Sequence, residues 1–137
     1  MTSEPPSGAP VPADPLVLIV DDDERNRKLA RDVLGRSGLR TIAAAGGRAA
    51  LALARDRLPD VVLLDLRLPD MDGRDVVRAL REDGRTAHIP IVALTALRYP
   101  DGGTRLLADG FLDYLEKPID VRTFPERVRR YCEHPRT

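Results

Sequence analysis

Short, uninterrupted apolar runs alternate with longer amphipathic segments, and this alternation limits the folds open to the chain more than any other feature. The clearest runs lie at 16–20, 61–65 and 91–95, and weaker ones lie at 40–45 and 113–116. In the clear runs apolar residues occupy successive positions, whereas a strand with one face in water shows them at every second position. The pattern therefore predicts five strands of a parallel sheet that is covered on both faces.

The segments between these runs predict five helices. In the first, Leu29, Ala30, Val33 and Leu34 recur at helical spacing, and most other positions are charged. Right-handed crossovers between parallel strands place such helices on both sides of the sheet. The predicted fold is α/β, a single domain with a doubly wound five-stranded parallel sheet and helices at 24–36, 49–57, 75–83, 96–109 and about 120–132.

Individual residues indicate where some of the predicted helices begin. Asp23 is expected to begin the first helix, and Asp70 and Asp72 are expected to be solvated turn formers. Thr123 and Glu126 fit a capping box, which places the start of the last helix near Thr123. The fourth helix is expected to start late, and residues 98–104 to be mobile, because that segment is rich in proline and glycine.

Composition narrows the class of protein. The 22 basic residues balance the 22 acidic ones, whereas a protein that coats nucleic acid or an anionic membrane usually carries a basic excess. No apolar run is long enough to span a membrane, and a single cysteine cannot form an internal disulfide. We therefore expect a cytoplasmic protein with neither nucleic acid nor membrane as its partner.

The two ends of the chain are expected to differ from the rest. Residues 1–14 are predicted to form a disordered tail or linker, because five of the twelve prolines lie among the first 15 residues. The folded domain is predicted to span 15–134, a length that suits one hydrophobic core. Only five residues follow Cys132, so no fused output domain is expected.

Polar side chains follow four of the predicted strands. Asp21 and Asp22 come after the first strand, Asp65 ends the third, Thr95 ends the fourth, and Lys117 follows the fifth. The carboxyl ends of parallel strands meet at one edge of the sheet, where ligands bind. Carboxylates that lie close together repel one another, and oxygen ligands of this kind suit Mg²⁺. An aspartate beside Mg²⁺ and a lysine can act as a nucleophile toward phosphorus.

At this point the chain resembles the receiver domain of two-component response regulators, of the chemotaxis-response-regulator-like type that stands alone or is attached to a kinase. The resemblance covers about residues 16–132 and implies the flavodoxin-like strand order 2-1-3-4-5. It is carried by four segments in the right order: LVLIVDDDERNRKLARDVL, PDVVLLDLRLPDMDG, IPIVALTAL and DYLEKPID.

The resemblance implies a Mg²⁺ site beside a phospho-acceptor. Asp65 would accept the phosphoryl group. Asp22 would bind Mg²⁺ directly, and Asp21 would be the second acid of the pocket and act through water. The backbone carbonyl of Arg67 would be the third protein ligand.

The resemblance also implies residues that contact the phosphoryl group or change conformation in response to it. Thr95 and Lys117 would contact its oxygens, and Tyr114 would change rotamer together with Thr95 on activation. Pro118 would follow Lys117 in the cis form. The phosphoryl donor would be a histidine kinase or a histidine phosphotransferase. The switched domain would then bind a downstream protein through the fourth helix, the fifth strand and the fifth helix, and it would catalyse only its own phosphorylation and dephosphorylation.

Two alternatives stay open. Asp21 and Asp23 imitate the DxD motif of haloacid-dehalogenase-like Mg²⁺-dependent phosphatases, although the threonine or valine expected shortly afterwards is missing. The chain could also be a receiver excised from a larger hybrid kinase. A nucleotide-binding flavodoxin-like protein is disfavoured, because three aspartates in the first loop would repel a phosphate.

Overall fold

The computed structural model describes residues 14–96 and 104–133. Within them five strands alternate with five helices, as the apolar runs predict. The elements in chain order are β1 (Leu16–Val20), α1 (Glu24–Arg36), β2 (Arg40–Ala44), α2 (Gly47–Arg57), β3 (Val61–Asp65), α3 (Gly73–Glu82), β4 (Ile91–Thr95), α4 (Thr104–Ala108), β5 (Asp113–Glu116) and α5 (Phe124–Cys132). The segment at 97–103, where a poor and mobile helix start is expected, lies outside the described residues, as do residues 1–13 of the expected tail.

All the strand pairs are parallel, and the order in the sheet is β2-β1-β3-β4-β5. This confirms the predicted doubly wound fold. Successive residues of a strand point to opposite faces, so Val17 and Ile19 enter one core while Leu18 and Val20 enter the other. Helices α1 and α5 cover the first core, and α2, α3 and α4 cover the second. Each fully buried Leu or Ile contributes about 2 kcal/mol to folding.

The helix starts differ in part from the local signals. Asp23 caps α1 as expected, since its carboxylate accepts a hydrogen bond from the Arg25 N–H at 2.8 Å. The last helix begins where predicted, since Thr123 is the residue before α5, but the predicted capping box is wrong, because the Thr123 side chain makes no capping hydrogen bond. Its backbone is already helical, so its hydroxyl does not meet the free N–H groups of the first turn.

Asp70 and Asp72 are exposed, as expected of turn residues, but they do more than form a turn. Asp72 caps α3 by accepting a hydrogen bond from the Arg74 N–H at 2.8 Å. Asp70 reaches α2 and accepts hydrogen bonds from the N–H groups of Gly47 at 2.8 Å and Arg48 at 3.1 Å. These bonds satisfy the first turn of α2, which therefore begins two residues earlier than the sequence indicates.

The contact between the β3–α3 loop and α2 explains why residues 46 and 47 are both glycines. A Cβ atom on Gly46 would lie 2.8 Å from the Asp70 carboxylate, and one on Gly47 would lie 2.8 Å from the Met71 sulfur. Those separations are below van der Waals contact, so a side chain at either position would displace Asp70 or Met71 and the loop that carries them. The hydrogen bond from Gly47, followed by that from Arg48, holds the pKa of Asp70 below its ordinary value of 3.8. The loop that follows Asp65 is thereby attached to α2.

None of the described helices is both long and apolar enough to span a membrane.

We predict that Asp70→Asn destabilises the protein at neutral pH, because an amide is a weaker acceptor for two helix N–H groups than a carboxylate. A lowered pKa in the folded state stabilises the fold above the unfolded pKa, and that stabilisation is lost as the pH falls through the folded value. The stability difference from the wild type should therefore shrink below about pH 4.

Urea unfolding at several pH values measures this effect. Asp56→Asn is the matched control, since Asp56 is exposed on α2 and its carboxylate makes no hydrogen bond recorded among the described residues. Equal stability of Asp70→Asn and Asp56→Asn at pH 7 would contradict the prediction.

Candidate functional site

The loop after β1 carries the first two acids of the site. Asp21 is 1% exposed, and its backbone N–H donates to the Ala44 carbonyl of β2. Its carboxylate accepts hydrogen bonds from the Asp23 N–H at 2.9 Å and from the Asn26 side chain at 3.3 Å. Asp21 is thus anchored by its main chain and its side chain, whereas the neighbouring Asp22 is exposed.

Lys117 joins two buried carboxylates across the sheet. Its ammonium lies 2.8 Å from Asp21 Oδ2 and 2.9 Å from Asp65 Oδ2. The strand order makes this contact, because β1, β3 and β5 deliver the three residues to one edge. A backbone hydrogen bond from the Lys117 N–H to the Thr95 carbonyl, 2.8 Å long, holds the lysine beside the end of β4.

Burial and charge act in opposite directions on Lys117. Burial alone would lower the pKa of the ammonium, but its hydrogen bonds and charge interactions with Asp21 and Asp65 outweigh burial, and the pKa is raised above 10.5. Lys117 therefore stays charged across the physiological range. By the linkage between pKa and stability, its contribution to folding is complete below about pH 10.5 and is lost as the pH rises through the raised value.

Three carboxylates face this one ammonium. One oxygen from each of Asp21, Asp22 and Asp65 lies within 4.8 Å of the others. The Asp22 carboxylate takes part in no hydrogen bond or ion pair recorded among residues 14–96 and 104–133, so it has an open coordination position. The donor set consists of oxygens, and two negative charges stay uncompensated. Both features fit Mg²⁺, which prefers oxygen ligands and retains several waters.

A cavity of about 280 Å³ opens in front of these groups. Its walls include Asp22, Asp65, Arg67, Thr95 and Lys117. The two buried residues of this set, Asp65 and Thr95, are 7% and 4% exposed. The structure therefore brings together the sequence-predicted residues around a space suited to a small anionic group, with Asp21 just behind its wall.

Arg67 and Asp65 are tied by a short local contact. The Arg67 N–H donates to Asp65 Oδ1 at 2.9 Å, and Arg67 forms an isolated antiparallel bridge with Asp72. These contacts turn the loop back on itself and keep the Arg67 backbone beside Asp65. Each oxygen of Asp65 therefore has a hydrogen-bond donor, Arg67 on Oδ1 and Lys117 on Oδ2.

Tyr114 lies on β5 directly opposite Ala93 of β4, two residues before Thr95. Its ring is partly buried against the core under α4, and it also borders a groove of about 580 Å³ along β5 and the start of α5. Tyr114 therefore contacts both the interior and a surface groove close to Thr95. The Lys117–Pro118 peptide bond is cis, as the resemblance implies.

Two residues that hold the loops of the site are given no such role by the sequence. The Arg27 guanidinium donates to the Asp21 carbonyl at 2.8 Å, and Asp70 anchors the loop after Asp65 to α2. The chain has many charged residues, and no sequence spacing distinguishes Arg27 or Asp70 from the others.

The known proteins to which this chain is similar are response regulators and receiver domains. A family model described as a response regulator receiver domain matches residues 17–129. The polar-differentiation response regulator DivK of Brucella anthropi is 40% identical over 115 residues, which are 84% of this chain and 94% of that protein. These matches do not support the phosphatase alternative.

Solved structures of related proteins share the fold of this chain. The chemotaxis protein CheY4 of Vibrio cholerae superposes with a TM-score of 0.80 at 32% identity, covering 87% of this chain and 99% of that one. The receiver domain of the sensor histidine kinase PA1611 from Pseudomonas aeruginosa has a TM-score of 0.78 at 30% identity, covering 89% and 100%. The latter structure has a magnesium ion coordinated in its active-site cleft.

We predict that Asp22→Asn stabilises the metal-free protein at neutral pH by about 1 kcal/mol, because it removes repulsion among carboxylates a few ångströms apart. Urea unfolding in the presence of a chelator measures the change, with Asp56→Asn as the control for loss of an exposed acid. A clear loss of stability in Asp22→Asn would show that the carboxylates are not under repulsion.

Proposed function

The chain belongs to the response regulator receiver domain family, and we propose that it is switched by phosphorylation of Asp65. The proposal takes residues 15–134 as the receiver domain and a cytoplasmic location for it. The observation that carries the proposal is the contact of one ammonium, that of Lys117, with the carboxylates of Asp21 and Asp65 at the wall of the cavity. A nucleophilic carboxylate, a fixed cation and a hydroxyl all meet there.

The acceptor chemistry follows from these positions. An Asp65 oxygen forms a bond to phosphorus, and the bond from phosphorus to the histidine nitrogen of a kinase or phosphotransferase breaks, so that the nitrogen leaves with the electron pair. Lys117 and Thr95 lie at the same cavity and would hold the oxygens of the transferred group. Mg²⁺, held by Asp22, Asp65 and the Arg67 carbonyl with Asp21 acting through water, would neutralise developing negative charge.

Arrival of the phosphoryl group would rearrange the contacts of the site. Lys117 now shares its charge between Asp21 and Asp65, and new anionic oxygens would compete for it. Thr95 would turn toward the same oxygens, and the space it leaves would admit the Tyr114 ring from the groove side. The proposed output is therefore a changed surface on α4, β5 and α5 that a downstream protein binds.

We predict that incubation with Mg²⁺ and a small acyl-phosphate or amido-phosphate donor adds one phosphoryl group to the protein. Intact-protein mass spectrometry measures the gain, which should be absent in Asp65→Ala and retained in Asp56→Asn. Phosphorylation of Asp65→Ala to the wild-type level would remove Asp65 as the acceptor. Steady turnover of phosphomonoesters would instead favour an enzyme.

We also predict that Thr95→Ala keeps the mass gain but weakens the response of the groove. The amide chemical shift of Tyr114 should change in the wild type when beryllium fluoride and Mg²⁺ are added. In Thr95→Ala the change should be less than about half as large, because the hydroxyl contact that would connect the phosphoryl site to Tyr114 is lost. Thr41→Ala on β2 is the control, since Thr41 lies away from the cavity. Equal Tyr114 responses in Thr95→Ala and the wild type would exclude Thr95 as the link.

A further inference from the structure

Arg27 contacts the site without being part of the mechanism described above. It lies on α1, is partly buried, and donates from Nη1 to the backbone carbonyl of Asp21 at 2.8 Å. Neither the acceptor chemistry nor the proposed switch uses this hydrogen bond. A guanidinium that reaches back six residues to a loop carbonyl suggests a role in the shape of that loop.

The other polar atoms of Asp21 are held separately. Its N–H bonds to Ala44, and its carboxylate bonds to Asp23, Asn26 and Lys117. The carbonyl of Asp21 differs from them, because it belongs to the planar peptide unit that continues into Asp22. A hydrogen bond that holds this carbonyl therefore sets the direction in which the chain enters Asp22.

Asp22 needs such support more than its neighbours. Its carboxylate has no hydrogen bond or ion pair recorded within the described part of the chain, yet one of its oxygens lies within 4.8 Å of oxygens from Asp21 and Asp65. Repulsion from those groups would push an unrestrained carboxylate outward into solvent. Its position near the other acids therefore depends on the backbone that carries it.

We propose that Arg27 is a positioning residue for the metal site: by holding the Asp21 carbonyl, it presets the Asp22 carboxylate for Mg²⁺. The inference rests on the proposed function, in which Asp22 is a direct ligand. In this proposal the hydrogen bond from Arg27 orders the loop independently of the ion, so Mg²⁺ binding does not have to supply that ordering.

The charge of Arg27 would have the opposite effect on Mg²⁺. A guanidinium near the carboxylates repels a divalent cation, so its removal would strengthen binding if charge alone mattered. Positioning predicts the reverse, because removal frees the Asp21–Asp22 peptide. The direction of the change in affinity therefore separates the two accounts.

The test is Mg²⁺ affinity measured by isothermal titration calorimetry in the wild type, Arg27→Met and Arg31→Met. Arg31 is the matched control: it is exposed one turn further along α1, borders the same surface cleft as Arg27, and makes no recorded bond to the loop. We expect Arg27→Met to bind about fivefold more weakly, the equivalent of one lost hydrogen bond, and Arg31→Met to bind within about twofold of the wild type. Unchanged or tighter binding by Arg27→Met would overturn the inference.

Urea unfolding in the presence of a chelator shows whether each variant is folded, so that a change in Mg²⁺ affinity can be assigned to the site. The inference requires weaker binding by an Arg27→Met protein that is folded and unfolds cooperatively. If Arg27→Met does not fold, Arg27→Gln decides, because the Gln amide ends two atoms short of the Arg27 Nη1 that donates to the Asp21 carbonyl, so the contact is lost while the side chain stays polar: weaker binding supports positioning, and unchanged or tighter binding overturns it. A wild type that binds no Mg²⁺ would overturn the proposed function and this inference together, whereas failure of the inference alone leaves wild-type binding intact.

Discussion

The shared ammonium of Lys117 is the interaction on which the rest of the site depends. Two buried carboxylates at the carboxyl edge of a sheet would repel each other strongly, and removal of one partner of a buried ion pair typically costs about 3–5 kcal/mol. Lys117 lies 2.8 and 2.9 Å from Asp21 and Asp65 and offsets one of their two charges. Together with Asp22, two negative charges stay uncompensated among the described residues, and this excess fits a divalent cation.

The loops that bear these charges are held from outside the pocket. Arg27 of α1 holds the β1–α1 loop at the Asp21 carbonyl, and Asp70 ties the loop after Asp65 to the N-terminus of α2. Both contacts use a charged group on a main-chain polar group, which gives strong and directional hydrogen bonds. The acidic pocket is therefore tied to helices on two sides, while Tyr114 and its groove lie on the third, beside β5.

The strands and their polar ends could be predicted from the sequence because both are local properties. An apolar run such as 61–65 indicates its own burial, and parallel topology sends the residue at its end to a known edge. Asp70 proved to be more than a turn former, and Thr123 precedes α5 as predicted but makes no capping hydrogen bond. Each depends on where a side chain lies relative to a backbone group, which the residue type does not specify.

The sequence by itself determined the fold class, the edge where the site lies and the residue types found there. Apolar periodicity sets which segments are buried strands, and five such strands joined by helices have few ways to pack. Only the tertiary structure decided which donor meets which acceptor. The partners Lys117 and Asp21, or Asp70 and Gly47, are far apart in the chain, and their distances follow from strand order and loop path. Those are properties of the assembled sheet, and no local pattern of residues encodes them.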